Sequence, residues 1–220
     1  MNLALGVHDE WTVLHDRLVD RFPAPWPFVI HFTRACPAEL PGQSRWDFVG
    51  ELATSRDPRF HDGLRILERI LREGRLRAGG RLIRGGFPVV SFTAAPPADV
   101  ARIARWARHL GRWTFEPYGV GLRRDAACGH GLRPAEYGSG RDHVRLAPDD
   151  RWRFQPARTG EADWTEEREW RGKGDVDLGS FSSDDGIVVV PDDADAREIA
   201  GVGPFRILVL DDRGRPHATA

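Results

Sequence analysis

The chain has 220 residues, 40% hydrophobic and 30% charged, and its 32 Lys+Arg against 33 Asp+Glu leave a formal net charge of -1. This balance excludes a disordered polyelectrolyte and any global positive field that would draw the protein onto nucleic acid or an anionic membrane. Cys36 and Cys128 are too few for a disulfide framework, no stretch reaches the roughly 20 apolar residues of a membrane helix, and no basic flank opens the chain, so the expectation is one cytoplasmic domain over 1–220, with no membrane partner.

Trp11, Leu14, Leu18 and Phe22 recur at helical spacing ahead of Pro23, Pro25 and Pro27, which predicts an entry helix and a proline-rich lead-in over 1–27. Phe28 to Phe32 is short, apolar and rich in β-branched and aromatic residues, the pattern of a buried strand. Trp46, Val49 and Leu52 permit a short helix, and Phe60, Leu64, Leu67, Ile70 and Leu71 make a clearer one, within Arg59 to Glu73, stopped by Gly74. Gly79-Gly80 and Gly85-Gly86 bracket a small hairpin, Pro88 to Thr93 reads as a second buried strand, and Ala98 to Leu110 as a helix. Strand candidates follow at Gly119 to Leu122, Ala135 to Tyr137, Glu167 to Arg171, Ile187 to Val190 and Arg206 to Leu210.

Helices gathered early and short strands late argue for an α+β fold with antiparallel or mixed sheets and flanking helices, not for alternating βαβ units. Gly119-x-Gly121 and Gly129-x-Gly131 do not open a helix after a strand, so they fail the context of a phosphate-binding fingerprint. Cys128-Gly129-His130 offers two potential ligands in a glycine-rich turn, short of a tetrahedral metal site, and no metal is expected.

Three polar strand ends are the candidate chemistry. His31 and Thr33 close the first apolar strand, Ser91-Phe92-Thr93 closes the second, and Trp164 to Arg171 brings Glu166, Glu167 and Glu169 toward a third, with Glu167 and Glu169 at a period of two. Arg168 and Arg171 stand ready to pair with any of these carboxylates that is buried.

In this order the segments resemble the ADP-ribosyltransferase superfamily of poly(ADP-ribose) polymerases, tRNA 2′-phosphotransferases and DNA-modifying toxins. His31-Phe32-Thr33, Ile70 to Leu76, Ser91-Phe92-Thr93 and Glu167-Arg168-Glu169 stand where that superfamily carries its histidine strand, its helix-closing phrase, its aromatic-Phe-Ser strand and its late glutamate. A closer likeness is to bacterial abortive-infection proteins of the AbiGi type. It rests on His31-Phe32-Thr33-Arg34, Pro41-Gly42-Gln43, Ile83-Arg84-Gly85-Gly86, Arg112 to Gly119 and Trp164 to Arg171.

The resemblance implies split sheets and an NAD-consuming glycosyltransferase or glycohydrolase, a phage-defence or toxin effector with NAD as substrate and an acceptor that is protein, nucleic acid or water. In that reading Glu169 is catalytic, assisted by Glu167, because a carboxylate stabilises the oxocarbenium-like state of glycosidic cleavage. His31 and Thr33 position the dinucleotide from the opposite side of one shared cleft, and the main chain at Phe32, where polymerases have glycine, clamps the carboxamide. Ser91 or Thr93 holds the nicotinamide side or supports Glu169, Arg34 or Arg84 pairs with the pyrophosphate, and Tyr118 or Trp113 replaces the stacking tyrosine absent at Ser91. Two other readings share the sequence: a nucleic-acid-directed enzyme using Arg102-Arg105-Arg108-Arg112 and Arg123-Arg124, and a sensor without turnover.

Overall fold

The computed structural model describes residues 18, 21–22, 25–36, 38–57, 59–107, 112–159 and 162–211. The entry helix expected from Trp11 falls mainly outside them; Leu18 and Phe22, which are described, are buried. Among the described residues six α-helices follow: α1 (Arg45–Thr54), α2 (Gly63–Glu73), α3 (Pro97–Ile103), α4 (Arg124–Gly129), α5 (Gly140–Arg145) and α6 (Asp193–Glu198). The strands are β1 (Phe28–Phe32), β2 (Arg75–Leu76), β3 (Val89–Thr93), β4 (Trp106–Ala107), β5 (Arg112–Trp113), β6 (Gly119–Arg123), β7 (Arg133–Pro134) and β8 (Glu136–Gly138). They continue with β9 (Phe154–Pro156), β10 (Arg158–Thr159), β11 (Ala162–Asp163), β12 (Glu169–Lys173), β13 (Val176–Asp177), β14 (Gly186–Val190) and β15 (Arg206–Val209).

The fold is α+β, built on one seven-stranded sheet of order β15-β14-β6-β1-β3-β12-β7 beside four two-stranded ribbons, rather than on two comparable sheets. Within the large sheet every pairing is antiparallel except β14 with β15. β1 reads as almost continuously apolar because it lies at the centre with both faces covered. Val29 joins one core with Leu64, Leu67 and Leu71 of α2, while Phe28, Ile30 and Phe32 join another with Ala98, Val100 and Ile103 of α3.

Local chemistry explains where the helices stop. The pattern of α2 begins at Phe60, but His61 takes a left-handed φ of 62° and the Asp62 side chain accepts from Arg65 N, so the helix starts at Gly63. Gly74, with φ 62°, closes it as anticipated. The helix expected to run to Leu110 ends at Ile103 instead. Thr114 N donates to Arg105 O and Arg105 N to Thr114 Oγ1, drawing the chain into the β4–β5 ribbon, where Trp106 meets Trp113 edge-on. Tertiary pairing thus overrides local periodicity. Gly79 and Val89 bond to each other antiparallel, as the glycine-bracketed hairpin requires.

The paired glycines of β6 serve packing. A Cβ at Gly119 would lie 2.7 Å from the main-chain oxygen of His31, and one at Gly121 2.6 Å from Ile187 Cγ1. Gly119→Ala is therefore expected to cost about 1–3 kcal/mol by forcing β1 and β6 apart. Gly129→Ala, whose Cβ would meet nothing within 4 Å, serves as the control. Urea midpoints check both, and a Gly119→Ala protein as stable as the control would contradict this register.

Candidate active site on one face of the central sheet

The strands carrying the three polar motifs are adjacent. Ile30 of β1 pairs with Thr93 of β3, and Thr93 pairs with Glu169 of β12, while Ser91 pairs with Arg171. Directly paired residues project to the same side of a sheet, and neighbours in sequence to opposite sides. Ile30, Phe32, Ser91, Thr93, Glu169 and Arg171 therefore share the α3 face. His31, Phe92 and Trp170 project to the α2 face, where the His31 and Phe92 rings lie 5.8 Å apart.

Glu169 and Arg171 form a buried ion pair, 8% and 1% exposed. Arg171 Nε and Nη2 donate to the two carboxylate oxygens at 2.9 and 3.1 Å, a bidentate fork. The remaining donors are also used: Nη1 reaches the carbonyls of Trp152 and Phe154, and Nη2 also reaches Gln155 Oε1. Glu169 N donates to the Tyr137 hydroxyl at 2.7 Å. A fully satisfied pair is what makes burial of the two charges tolerable.

Glu167 differs. Thr165–Glu167 is a 3-10 turn, and Arg168 follows with φ 46°, so the strand opens at Glu169 and not at Glu167. The Thr93 hydroxyl donates to the Glu167 carbonyl, fixing the turn against β3. Among the described residues, no hydrogen bond or ion pair holds the Glu167 carboxylate, which is only partly buried. Desolvation, then the like charge of Glu169, pushes its pKa up to about 7, against the opposing pull of Arg105 and Arg34. Arg105 lies with its guanidinium carbon 4.9 Å from the centre of the Trp164 ring, and among the described residues its buried Nη2 has no hydrogen-bond partner. The Arg34 guanidinium is anchored on Thr114 O at 2.8 Å. A proton-bearing carboxyl flanked by guanidiniums is equipped for acid–base work near a phosphorylated ligand.

His31 is not in this group. Its Nδ1–H donates to the Ser91 carbonyl at 2.8 Å, leaving Nε2 as an acceptor, and burial holds its pKa down at about 4. The single hollow expected between His31 and Glu169 is thus replaced by two environments on opposite faces, because the two residues stand one step out of phase across three paired strands. Comparison with known proteins yields no matching family model, curated protein or solved structure.

The other expected site residues divide in the same way. Phe32 is buried edge-on against Phe115 at 5.7 Å, on the carboxylate face. Thr33 is buried, with its hydroxyl donating to Gly63 O at 2.7 Å. Tyr118 is 9% exposed and donates its hydroxyl to Asp195 Oδ2, so its ring is committed to the core and unavailable for stacking on a ligand. Arg84 is exposed and lies over the Phe154 ring. Of the arginines grouped by sequence, Arg102 pairs with Glu166 and Arg123 with Asp125. Cys128 is exposed, and among the described residues no group of three or more His, Cys, Asp or Glu side chains could hold a metal ion.

Sequence reasoning missed the Arg105–Trp164 contact and Tyr137, which meet the carboxylates only through the folded β4–β5 and β8 segments. Their signal was a tryptophan and a tyrosine beside otherwise polar stretches.

Arg171→Met is expected to destabilise the protein by about 3–5 kcal/mol, since it strands a buried carboxylate, and adding Glu169→Gln should recover part of that loss. Denaturant unfolding of both variants checks it, and equal stability of Arg171→Met and wild type would contradict a buried pair. Glu167 gives a pH test. Folding raises its pKa from 4.5 to about 7, so across that window the unfolded chain has lost a proton that the native protein keeps. This group's contribution to stability therefore falls as pH rises from 4.5 to about 7 and is level above. Relative to wild type, Glu167→Gln should lose that slope in urea midpoints; parallel profiles would contradict the raised pKa.

Proposed function

We propose that this protein cleaves the nicotinamide–ribose bond of NAD and passes ADP-ribose to an acceptor or to water, as an effector of the ADP-ribosyltransferase type in bacterial phage defence. The observation that carries the reading is the near-neutral Glu167 carboxyl beside the ion-paired Glu169, with Arg34 and Arg105 close by. Two carboxyl groups placed in contrasting environments are what glycosidic cleavage needs: one paired with a guanidinium, one able to exchange a proton near pH 7. The adjacency of the three strands bearing the family-like motifs supports the same assignment.

The C1′–N bond breaks and nicotinamide departs with the electron pair, leaving oxocarbenium character on the ribose. The negative field of the ionised carboxylates opposes that charge. Water or an acceptor hydroxyl then adds to C1′, and its proton passes to Glu167. Both Glu169 oxygens are already bonded to Arg171, so Glu167 is the more available of the two carboxylates, and Glu169 acts on it through charge. Arg105 and Arg34 face the pyrophosphate, where a guanidinium fork matches phosphate oxygens. Thr93 positions Glu167 through its carbonyl.

Incubation with NAD should release free nicotinamide, with a rate that rises through about pH 7 as Glu167 ionises. Glu167→Gln should lower kcat by roughly 10²–10⁴-fold and abolish that limb while the near-ultraviolet circular dichroism stays native. Turnover equal to wild type in this variant would remove Glu167 from the mechanism, and no release by wild type would end the reading.

A further inference from the structure

Away from the carboxylate face, His31 lines a cavity of about 200 Å³ between α2, β2 and the loop that leaves β1. A second cavity, of about 320 Å³, opens beside it between α1 and α2. The two share Leu40, Ile66 and Arg69, but neither His31 nor Arg34 lines the second. Its charged and ring groups come instead from α1 (Glu51), from the turn into α2 (Asp57, His61) and from α2 itself (Arg65, Arg69).

His61 sets the chemistry of this second cavity. The residue takes a left-handed φ of 62° and is 9% exposed, with its ring stacked on Phe60 at 4.1 Å. Cys36 N donates to His61 O at 3.0 Å, and His61 Nδ1–H donates to Cys36 O at 3.1 Å, so both backbone and ring are fixed. In the neutral ring Nε2 is then an acceptor. That atom is buried and, among the described residues, has no hydrogen-bond partner. A buried acceptor left open is uncommon in a folded protein and calls for a donor.

Glu51 Oε2 stands 3.7 Å from His61 Nε2 and 3.7 Å from Arg69 Nη1, beyond hydrogen-bond reach of both, and is anchored by Gln43 Nε2 at 2.7 Å. Gaps of this size between polar groups are filled by something that bridges them. The other two charges of the lining satisfy each other, since Arg65 Nε donates to Asp57 at 2.8 Å. With two carboxylates and two guanidiniums the lining is formally neutral, so the matching ligand carries both signs. An ammonium satisfies His61 Nε2 and Glu51, and a carboxylate one carbon away satisfies Arg69. Leu40, Phe60 and Ile66 leave apolar wall for a side chain.

We propose that this cavity binds a free α-amino acid with an apolar side chain, its ammonium between His61 Nε2 and Glu51 and its carboxylate on Arg69. A residue within a peptide lacks one or both of these charges, so the site reads the free amino acid. The proposal does not rest on NAD cleavage at the α3 face.

Isothermal titration of the whole chain with L-leucine and with L-phenylalanine tests it, using the amide and the deaminated acid of each as ligands lacking one charge. At least one of the two amino acids should bind saturably, one per chain, and its amide and deaminated acid at least about tenfold more weakly. Glu51→Gln and Arg69→Gln, at side chains 44% and 37% exposed and so safe for folding, should each weaken that amino acid by a similar factor. Arg72→Ala removes a cation from the same helix outside the cavity and should leave the affinity unchanged. The proposal is overturned if neither amino acid saturates, if the amide or the deaminated acid binds as well, if the Glu51 and Arg69 variants bind like wild type, or if Arg72→Ala weakens binding as much as Arg69→Gln. Absence of nicotinamide release would leave these binding results standing, so the two readings fail separately.

Discussion

A carboxylate removed from water is tolerable only beside a cation that replaces its hydration, and the Glu169–Arg171 pair is the contact on which this structure turns. Arg171 spends its donors on Glu169, on two carbonyls of the segment running into β9, and on Gln155, so one side chain ties the sheet to the layer that covers it. The consequence reaches Glu167. The negative charge of Glu169, held in place by Arg171, sits beside a second, partly buried carboxyl, and that group responds by keeping its proton to about pH 7. Thr93 prevents the simpler escape of swinging the Glu167 turn outward, because its hydroxyl holds that residue's carbonyl.

The same sheet separates two kinds of chemistry by alternation alone. Across β1, β3 and β12 the residues facing α3 are Phe32, Ser91, Thr93, Glu169 and Arg171, and those facing α2 include His31 and Phe92. The carboxylate side joins negative charge to guanidiniums, and the histidine side offers a neutral acceptor within an apolar hole rimmed by arginine. The two meet at Ser91, whose carbonyl accepts from His31 and whose side chain lies on the carboxylate face.

Much of the scaffold was legible in the sequence because it follows from periodicity. The buried strands at 28–32 and 89–93, the helix closed by Gly74 and the late strands at 186–190 and 206–209 are patterns that burial imposes on any sheet with helices against it. What was not legible depends on register. Whether His31 and Glu169 share a face is decided by the single alignment of Ile30 with Thr93 and of Thr93 with Glu169, and one residue of slip would reverse it. The end of α3 at Ile103 was equally hidden, since the bonds between Arg105 and Thr114 join positions nine residues apart. Tyr118 reads as an available aromatic ring in sequence, and only the position of Asp195 shows that its hydroxyl is engaged within the core.

The most direct measurement is a crystal structure with NAD or ADP-ribose bound. The account predicts the nicotinamide-side ribose against the carboxylate of Glu167 on the α3 face, with the pyrophosphate toward Arg105 and Arg34. Dinucleotide found solely in the His31 cavity, with the Glu167 face empty, would contradict it.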